Sequence, residues 1–314
     1  MFKNNTYMKI KFISFDSMGT RSMATFVETN DVNIFIDPGA ALGPFRYGLP
    51  PHPLEIEKLK QDWENIVHYA NNSDVMIITH YHYDHHNPKI YLDIYNGKDL
   101  LIKHPSQKIN RSQFIRASFF IKQLGTRPKS INYADGKEFV YGKTLIRFSQ
   151  PVAHGVNDKL GYVIEVLVDD GDYKFLFTSD IEGAPLLSHI TFIIETRPNI
   201  IVMDGPMTYM LGNKFAEHDL ISSINNIIQI LDKVKPEALI IDHHLLRDLQ
   251  WNNRIQKVID KGNNVGTRVL SAAEYSGQKI NLLEAQRKEL YKLKPVATES
   301  LKRFTVFSEN FVEE

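Results

Sequence analysis

The 314-residue sequence contains no cysteine, no long apolar run and no excess of either charge. Without cysteine, neither a disulfide framework nor a thiolate metal site can form, and we expect a reducing, cytoplasmic environment. No run of about 18 apolar residues is present, so we expect no membrane-spanning helix. The first residues also lack the apolar core of a secretory signal. Lysine plus arginine equals aspartate plus glutamate at 37 each, so the overall charge neither favours nor excludes a nucleic-acid partner.

The remaining composition is that of an ordinary globular protein, with 43% hydrophobic and 24% charged residues. Three alternating segments between residues 9 and 37 predict strands, and later strands alternate with helical patterns. The later elements include a short helix near residues 88–95 and a strand over residues 162–168. Runs of strands followed by strand–helix alternation, twice over, predict an α/β fold built as a four-layer αββα sandwich. No segment has the composition of a linker. We therefore predict one domain over residues 1–314, with a charged helical C-terminal extension from about residue 282 that packs on the outside.

Four histidines and one aspartate lie within seven residues that directly follow an apolar run, residues 75–79. The run predicts a short buried strand. The seven residues are His80-Tyr81-His82-Tyr83-Asp84-His85-His86. Neutral imidazole and carboxylate are the usual ligands of zinc and of neighbouring divalent transition metals. Side chains alternate in an extended segment, so His80 and His82 point to the same side. We therefore predict a metal site at the end of this strand, in preference to a merely polar loop.

Three further polar residues follow predicted strands: His154, Asp180 and His243. Together with the H-x-H-x-D-H pattern they resemble the signature of the metallo-β-lactamase superfamily, over roughly residues 8–270. The opening D-S-x-G-x-R-S at residues 16–22 and the close D-H-H-L-L-R-D at residues 242–248 are similar to those of an archaeal group within the superfamily. That group carries no established substrate, so the narrower resemblance bears on the fold and not on the function.

The superfamily resemblance implies two divalent metal ions, with zinc as the first choice and manganese or iron compatible with the same ligands. In the implied ligand set, His80, His82 and His154 hold the first ion, Asp84, His85 and His243 hold the second, and Asp180 bridges both. Asp84 counts as a catalytic residue as well. The resemblance further implies a metal-bound hydroxide that attacks a carbonyl or phosphoryl centre. His82 occupies a place where flavo-di-iron oxygen reductases usually carry glutamate, which favours hydrolysis over redox chemistry.

Three residues beside the implied ligands are expected to support them. In the superfamily, the aspartate at the place of Asp37 orients a ligand histidine, because a carboxylate accepts the far imidazole N–H; the alternative is a turn before Pro38. His86 and His244 either support the ligands or face the substrate. The alternative for each is an ordinary buried histidine that bonds to a carbonyl group. His244 also competes with the adjacent His243 for the role of last ligand.

The segment from Asp204 to His218 is similar in layout to part of the ribonuclease Z-type enzymes. There a strand-end glutamate orients a histidine that helps to protonate the leaving group. Carried over, the resemblance implies His218 as the general acid and Asp204 as the residue that orients it. The surroundings differ, because aspartate replaces glutamate and two acids, Glu217 and Asp219, flank the histidine. Capping of the following helix is the alternative role for these acids.

Residues 100–133 carry seven positive side chains and no acidic one. The seven are Lys103, Lys108, Arg111, Arg116, Lys122, Arg127 and Lys129. Such a span favours an anionic partner, such as a phosphate group or a nucleic-acid backbone; a solvated helical face near other acids is the alternative. Arg111, in a predicted helix over 111–124, is the candidate anion-binding residue. Arg46 and Tyr47, in a loop rich in glycine and proline, either contact substrate or belong to a rigid connector.

The combined prediction is a cytoplasmic hydrolase with two metal ions that cleaves a phosphodiester, with nucleic acid among the candidate substrates. The alternative is a small-molecule ester or lactone hydrolase of the sugar-phosphate lactonase type, in which the basic residues hold one phosphate. A metal-binding module without turnover is a third interpretation, which the complete ligand set disfavours. We expect an anionic substrate and no membrane partner, and the sequence leaves the oligomeric state open.

Overall fold

A computed structural model describes residues 8–296, and the earlier part of this range builds a six-stranded sheet. Its strands lie side by side in chain order: β1 (Lys9–Phe15), β2 (Met23–Glu28), β3 (Asn33–Ile36), β4 (Val75–Ile78), β5 (Asp99–Ile102) and β6 (Ser130–Tyr133). The first three strands pair in antiparallel fashion, and β3 to β6 run parallel. The three strands predicted between residues 9 and 37 are confirmed.

A second sheet of seven strands follows in the chain. Its members are β7 (Glu138–Tyr141), β8 (Thr144–Phe148), β11 (Val166–Asp169), β12 (Lys174–Phe177), β13 (Ile200–Asp204), β14 (Ala238–Asp242) and β15 (Arg268–Leu270). They are ordered β15-β14-β13-β12-β11-β8-β7, with the four from β12 to β15 parallel. Two short strands, β9 (Val152–Ala153) and β10 (Tyr162–Val163), form a separate ladder.

Helices cover the outer faces of both sheets. They are α1 (Pro53–Asn71), α2 (Arg111–Leu124), α3 (Ser188–Thr196), α4 (Glu217–Lys233), α5 (Trp251–Arg254), α6 (Gln256–Val265), α7 (Ala272–Tyr275) and α8 (Arg287–Leu293). Apolar side chains of α1 and α2 pack on the first sheet, and those of α3, α4 and α6 pack on the second. Local sequence sets the boundaries: Asn110 caps α2 by accepting the Gln113 N–H at 2.8 Å.

The core between the two sheets comes from the period-2 alternation of the strands. In β4, Val75 and Ile77 face the second sheet, while Met76 and Ile78 pack under the helices of the first sheet. Phe175 and Phe177 of β12 meet them from the opposite sheet. Helix, sheet, sheet and helix thus form four layers, so the predicted αββα sandwich is confirmed.

Two predicted elements differ in the structure. The helix expected near residues 88–95 is a single 3-10 turn, Leu92–Tyr95, because Asn87 accepts the N–H groups of Lys89 and Ile90 and turns the chain first. The strand expected over residues 162–168 is interrupted after β10, since β10 pairs with β9 and β11 pairs in the second sheet. None of the helices in the described range combines the length and the apolar content that crossing a bilayer requires.

The extension predicted from about residue 282 begins inside the core. Leu282 and Ala285 are buried with the helices of the second sheet, and Arg287 of α8 forms a buried ion pair with Glu55 at 2.7 Å. This part therefore belongs to the packed body, and the prediction that it packs only on the outside is wrong. Residues 297–314 of the predicted extension lie outside the described range, and the single-domain organisation stays a prediction.

Candidate metal centre

The predicted ligands follow the ends of strands from both sheets. Residues 80–86 follow β4, His154 follows β9, Asp180 follows β12 and His243 follows β14. The carboxyl ends of parallel strands meet at one edge of each sheet, and the two edges face each other across the core. The backbone turns sharply there, with positive φ at Asp37, Ser179 and His243. The fold thus brings these residues together although they are distant in sequence.

One group consists of three histidines and Asp180. Ligand atoms of His80, His82, His154 and Asp180 all lie within 4.8 Å of one another. His154 Nε2 is 3.1 Å from His82 Nδ1 and 3.3 Å from Asp180 Oδ2, and His80 Nε2 is 3.5 Å from the same oxygen. Three imidazole nitrogens and one carboxylate oxygen that converge in this way form a donor set typical of zinc.

A second group shares the same aspartate. Ligand atoms of Asp84, His85 and His243 lie within 4.8 Å of one another. Asp180 Oδ1 is 3.1 Å from His85 Nε2, and Asp180 Oδ2 is 3.4 Å from His243 Nε2. Asp180 therefore lies between both groups, in the arrangement that the sequence resemblance implied for a bridging carboxylate. Metal binding by these seven residues stays a prediction.

Carboxylates hold the outer nitrogens of the second group. Asp37 Oδ2 accepts His85 Nδ1–H at 2.8 Å, and the same carboxylate accepts the N–H and the hydroxyl of Thr79. Asp16 Oδ2 accepts His243 Nδ1–H at 2.7 Å. Each hydrogen bond fixes the tautomer, so that Nε2 of the ring faces the centre. The structure gives Asp37 the contact that the sequence predicted.

Charge separates the pKa values of the buried groups. Burial opposes ionisation of Asp180, but the imidazoles of His85, His243 and His80 hold its pKa well below the usual range. Burial likewise acts to lower the pKa of His85, but Asp180, Asp84 and Asp37 raise it well above the usual value. By contrast, burial and the charge of His85 lower the pKa of His80 to about 3. Protons on some of the imidazole rings thus balance the negative charge of the carboxylates. Bound cations would supply that positive charge instead.

Several buried atoms at the centre have no hydrogen-bond partner within residues 8–296. They are His80 Nε2, His85 Nε2, Asp84 Oδ1 and Asp180 Oδ1. Unpaired buried polar atoms are costly and uncommon in folded proteins. Here all four belong to predicted ligands and point into one space, so they fit divalent cations with nitrogen and oxygen ligands.

The structure separates His218 from Asp204. His218 lies in the first turn of α4 with its side chain 82% exposed, and its ring contacts Asp219 at 3.3 Å. Asp204 instead binds His244, whose Nδ1–H donates to its carboxylate at 2.9 Å. The predicted pairing of Asp204 with His218 is therefore wrong, because a closer histidine occupies the carboxylate. Asp219 accepts the Ala216 N–H at 3.2 Å, which is the capping role that the sequence left open.

His244 lies beside the ligands but has a different partner from His243. Its ring centroid is 4.5 Å from that of His243 and 6.2 Å from that of His154. It also stacks parallel to the ring of Tyr209, with centroids 6.4 Å apart. Because Asp204 holds Nδ1 of His244 while His243 directs Nε2 towards Asp84 and Asp180, the geometry favours His243 as the ligand.

His86 supports the loop that carries the ligands. Its Nδ1–H donates to the His82 carbonyl at 3.0 Å, and its ring packs on Phe120 of α2 with centroids 4.7 Å apart. This is the alternative considered from the sequence, a buried histidine bonded to a carbonyl group. Gly39 leaves room for the same loop, since a Cβ there would lie 2.4 Å from the His85 carbonyl carbon.

The predicted substrate-contacting residues take different positions. Arg46 lies between the rings of Tyr47 and Tyr209, at 4.8 and 4.6 Å, and donates to the Arg247 carbonyl at 3.0 Å. Arg46 and Tyr47 line an open cleft of about 590 Å³ together with Tyr209 and Arg247, which connect it to the metal centre. Arg111 is exposed at the start of α2 and has no polar contact with the centre in the described range.

Several positive charges of the basic span, residues 100–133, have acidic partners in the structure. Lys103 forms a buried ion pair with Asp135 at 2.6 Å, and Arg127 and Lys129 pair with acids from outside the span. Three of the seven charges are therefore compensated locally, as in the solvated-face alternative. The argument for an anionic partner rests on the other members.

Sequence reasoning missed three charged residues at the centre. Asp16 accepts Nε–H of Arg247 at 2.8 Å as well as the ring of His243, so the opening and closing motifs of the chain bind each other. Arg247 Nη2 in turn is 3.5 Å from Asp84 Oδ2. Glu182 Oε1 lies 3.7 Å from His154 Nδ1. Only the two motifs themselves carried a signal, because they place charged residues next to predicted strand ends.

This centre at the edge of two facing sheets has the architecture of the metallo-β-lactamase fold. No family model matches the chain. A possible metal-dependent hydrolase from Veillonella parvula DSM 2008 superposes with a TM-score of 0.52 at 15% identity, over 84% of this chain and 95% of that one. The metallo-β-lactamase fold protein YhfI from Bacillus subtilis gives a TM-score of 0.48 at 14% identity, over 84% and 96%. At these identities the likeness concerns the fold alone.

Curated relatives define the family. A UPF0282 protein from Korarchaeum cryptofilum (strain OPF8) is 53% identical over 289 residues, which is 92% of this chain and 96% of the relative. A second, from Sulfurisphaera tokodaii, is 48% identical over 91% of this chain and 93% of its own length. The chain belongs to the UPF0282 family. The archaeal resemblance that the opening and closing motifs indicated is thereby confirmed.

Proposed function

We propose that this protein is a hydrolase that depends on two divalent cations, with zinc as the first choice. His80, His82 and His154 would hold one cation, Asp84, His85 and His243 the other, and Asp180 both. The observation that carries the proposal is the set of four buried, unpartnered ligand atoms that converge from both groups. Bound cations would supply a water molecule activated for attack and would stabilise the negative charge that develops on the substrate.

The protein's own residues would orient and enclose this chemistry. Asp37 and Asp16 hold the rings of His85 and His243. Arg247, paired with Asp16, keeps a guanidinium N–H 3.5 Å from Asp84 and so limits the movement of that carboxylate. With the ligands at most 2% exposed apart from His82, the centre is shielded from bulk water on most sides. Low water content strengthens every electrostatic contact with the reacting group.

His244, in place of His218, is our candidate for moving a proton to the leaving group. Asp204 accepts its Nδ1–H, which leaves Nε2 as the working nitrogen. Burial and the charge of Arg247 lower the pKa of His244 well below its usual value, and burial raises that of Asp204 to about 7. These shifts leave Nε2 of His244 unprotonated in the absence of substrate, and an anionic group beside the ring would raise its affinity for a proton.

A phosphodiester is our leading substrate class, with nucleic acid as one form of it. Arg46 and Arg247 line the cleft beside the centre, with two tyrosine rings next to them, and Arg247 also contacts the ring of His243. Guanidinium groups bind phosphoryl oxygens well, and aromatic rings suit a flat group attached to the phosphate. A small ester or lactone that carries one phosphate is the second candidate, because the same cleft has room for it. A metal-binding module without turnover is the third, and the Asp204–His244 pair beside the ligands argues against it.

The test is to purify the protein, count metals per chain, and assay bis(p-nitrophenyl) phosphate beside a panel of lactones with added Zn²⁺ or Mn²⁺. Two metals and phosphodiester cleavage are expected. Lactone turnover alone would transfer the proposal to the second candidate. A metal-loaded protein without either activity would favour the metal-binding module without turnover. A protein that binds no metal would contradict the proposal.

A further inference from the structure

Arg116, in the middle of α2, is a buried cation without an anion. Its side chain is about nine-tenths buried, and Nη1 is buried with no hydrogen-bond partner within residues 8–296. Its contact is with the ring of Tyr83, whose centroid lies 4.6 Å from the guanidinium carbon. A buried charge is costly unless a charge of opposite sign and hydrogen bonds compensate it. An arginine in this state therefore calls for an explanation.

The other buried cations of the described chain are compensated. Lys103 pairs with Asp135, Arg247 with Asp16, and Arg287 with Glu55. Each of these ion pairs joins parts of the chain that are distant from one another, as a structural ion pair does. Arg116 has no carboxylate within ion-pair distance among residues 8–296, so a structural role of that kind does not account for it.

Arg116 also lies beside the metal centre. Helix α2 contacts the ligand loop on two sides of Arg116: Gln113 accepts the Tyr81 N–H at 3.2 Å, and Phe120 packs on His86. Tyr83, which Arg116 covers, stands between His82 and Asp84 in the sequence. The guanidinium is thus fixed against the loop that carries four predicted ligands.

The position of Arg116 coincides with the opening of the centre. Of the seven predicted ligands, His82 is the one that is only half-buried, and the adjacent Tyr83 is half-buried as well. The remaining ligands are at most 2% exposed. The ligands are therefore least enclosed at His82 and Tyr83, and Arg116 packs on the ring of Tyr83 there.

We propose that Arg116, seated on the ring of Tyr83, binds an oxyanion of the substrate at the open side of the metal centre, a phosphoryl group in the first place. The proposal rests on the proposed function, since the anion is part of the molecule that is hydrolysed. A guanidinium stacked on a ring keeps its N–H edge free for two parallel hydrogen bonds to such a group. The bound oxyanion supplies the charge that Arg116 lacks. Arg116, rather than Arg111, is then the anion-binding residue of the basic span.

The test measures inorganic phosphate affinity by titration calorimetry, with the protein in its purified state and again after chelation. In R116Q we expect phosphate to bind about 10- to 100-fold more weakly, since charge-assisted hydrogen bonds are lost, with metal content unchanged. K122Q is the matched control, because Lys122 is an exposed cation on the same helix; its phosphate affinity should stay within about twofold, as expected of an exposed charge. R111Q tests the alternative anion-binding residue. A loss of phosphate affinity in R111Q, with no loss in R116Q, would overturn the proposal.

Thermal unfolding separates binding from structure. Without phosphate, R116Q should unfold at the wild-type temperature or above it, because an uncompensated charge is removed, and phosphate should stabilise it less than the wild type. A structural arginine would instead give a lower unfolding temperature in R116Q, which would overturn the proposal. R116K keeps the positive charge but loses the two parallel N–H donors of the guanidinium. It should fold and bind phosphate with an affinity between those of the wild type and R116Q.

Two further comparisons identify the bound oxyanion and distinguish a failure of this inference from a failure of the proposed function. Acetate replaces phosphate in one titration, and a loss of acetate affinity alone in R116Q would assign a carboxylate as the oxyanion. A wild-type protein that binds neither anion would contradict the site. If the protein hydrolyses a substrate and R116Q binds phosphate like the wild type, the proposed function stands and this inference fails. If no hydrolysis is found but R116Q loses phosphate, the anion site stands alone.

Discussion

The two sheet edges build the centre in different ways. The edge of the first sheet supplies His80, His82, Asp84 and His85 from one loop, and Asp37 of the same sheet holds His85. The other three ligands come from three separate strand ends: Asp180 and His243 follow β12 and β14 of the second sheet, and His154 follows the short strand β9. These depend on the first sheet: Asp16 reaches across to His243, and the Thr79 and Ser179 hydroxyls bond at 2.6 Å. The first edge is local and self-contained, whereas the second is positioned by contacts between sheets.

The largest effect should come from the ligand that both groups share. Asp180→Asn should weaken both metal sites, whereas His80→Ala should affect chiefly the site of its own group, because Asp180 contacts histidines of both. Loss of a ligand should exceed the roughly 10- to 100-fold loss of affinity known for outer partners. Elemental analysis of the purified variants measures metals per chain.

His68→Ala is the control for the removal of an imidazole, because His68 is exposed on α1. It should retain the wild-type metal content. Unchanged metal content in His80→Ala would show that the ligand set is wrong. Equal losses of bound metal in His80→Ala and Asp180→Asn would contradict the role of Asp180 as the ligand that both groups share.

The second edge also provides a contrast between two histidines. His244→Ala should lower kcat by at least about 100-fold, the usual lower limit for the loss of an acid–base group, while metal content stays constant. His218→Ala should leave kcat within about twofold, because the side chain is exposed and contacts only Asp219 within the described range. Steady-state kinetics with bis(p-nitrophenyl) phosphate provide the measurement. The reverse outcome would restore the assignment made from the ribonuclease Z-like layout.

This contrast also shows how far the sequence reaches. The ligands of the first edge could be predicted because a strand end fixes four side chains within a few residues, so local periodicity carries the geometry. Strand-end position was also sufficient to propose His154, Asp180 and His243. The partner of Asp204 could not be predicted in this way. His218 is separated from it by a loop and His244 by α4 and β14, and only the tertiary structure shows that His244 lies against it.

Residues that act across the sheets were missed for the same reason. Asp16 follows β1, far from His243 in the chain, and nothing near either residue indicates that they pair. The basic span misled in a related way, because three of its charges meet acids from other segments. Composition counts charges, but only packing shows which of them lack a partner. Nη1 of Arg116 has no hydrogen-bond partner within residues 8–296, and anion binding by Arg111, which was chosen from sequence position alone, stays a prediction.

A smaller effect should separate the two carboxylates that hold ligand rings. Asp37→Asn and Asp16→Asn should each weaken metal binding about 10- to 100-fold, as for other partners of ligand histidines. Asp16→Asn should in addition lower the free energy of unfolding, on the order of 3 kcal/mol, because the buried Arg247 loses its closest charge. Chelator competition measures the first effect, and urea denaturation the second.

Equal losses of unfolding free energy in Asp37→Asn and Asp16→Asn would contradict the view that contacts between the two sheets position only the second edge. Asp37 accepts hydrogen bonds from Thr79 and His85 but contacts no arginine or lysine in the described range. Asp93→Asn, which removes an exposed partner of Arg127, is the control for loss of an ion pair, and should change stability by less than about 1 kcal/mol.

The last effect concerns pH and a buried acid next to β11 of the second sheet. Glu165 lies between β10 and β11, beside Ile164, whose N–H donates to the Thr79 carbonyl and joins the two edges. Both carboxyl oxygens of Glu165 are buried without a hydrogen-bond partner within residues 8–296, and burial raises the pKa of Glu165 well above its usual value. The folded protein therefore keeps a proton on Glu165 at pH values at which the unfolded chain has released it.

The sign of the resulting pH dependence follows from this difference. Above the unfolded value of 4.5, the folded state binds more protons than the unfolded state, so stability falls as pH rises, by about 1.4 kcal/mol per pH unit, until the folded pKa is reached. Glu165→Gln removes this slope, and should be more stable than the wild type at neutral and alkaline pH. Urea denaturation between pH 5 and 8 tests it, with Glu195→Gln, an exposed glutamate, as control. Parallel wild-type and Glu165→Gln curves would mean that Glu165 is ionised in the fold, and hence that the junction between the two edges admits water.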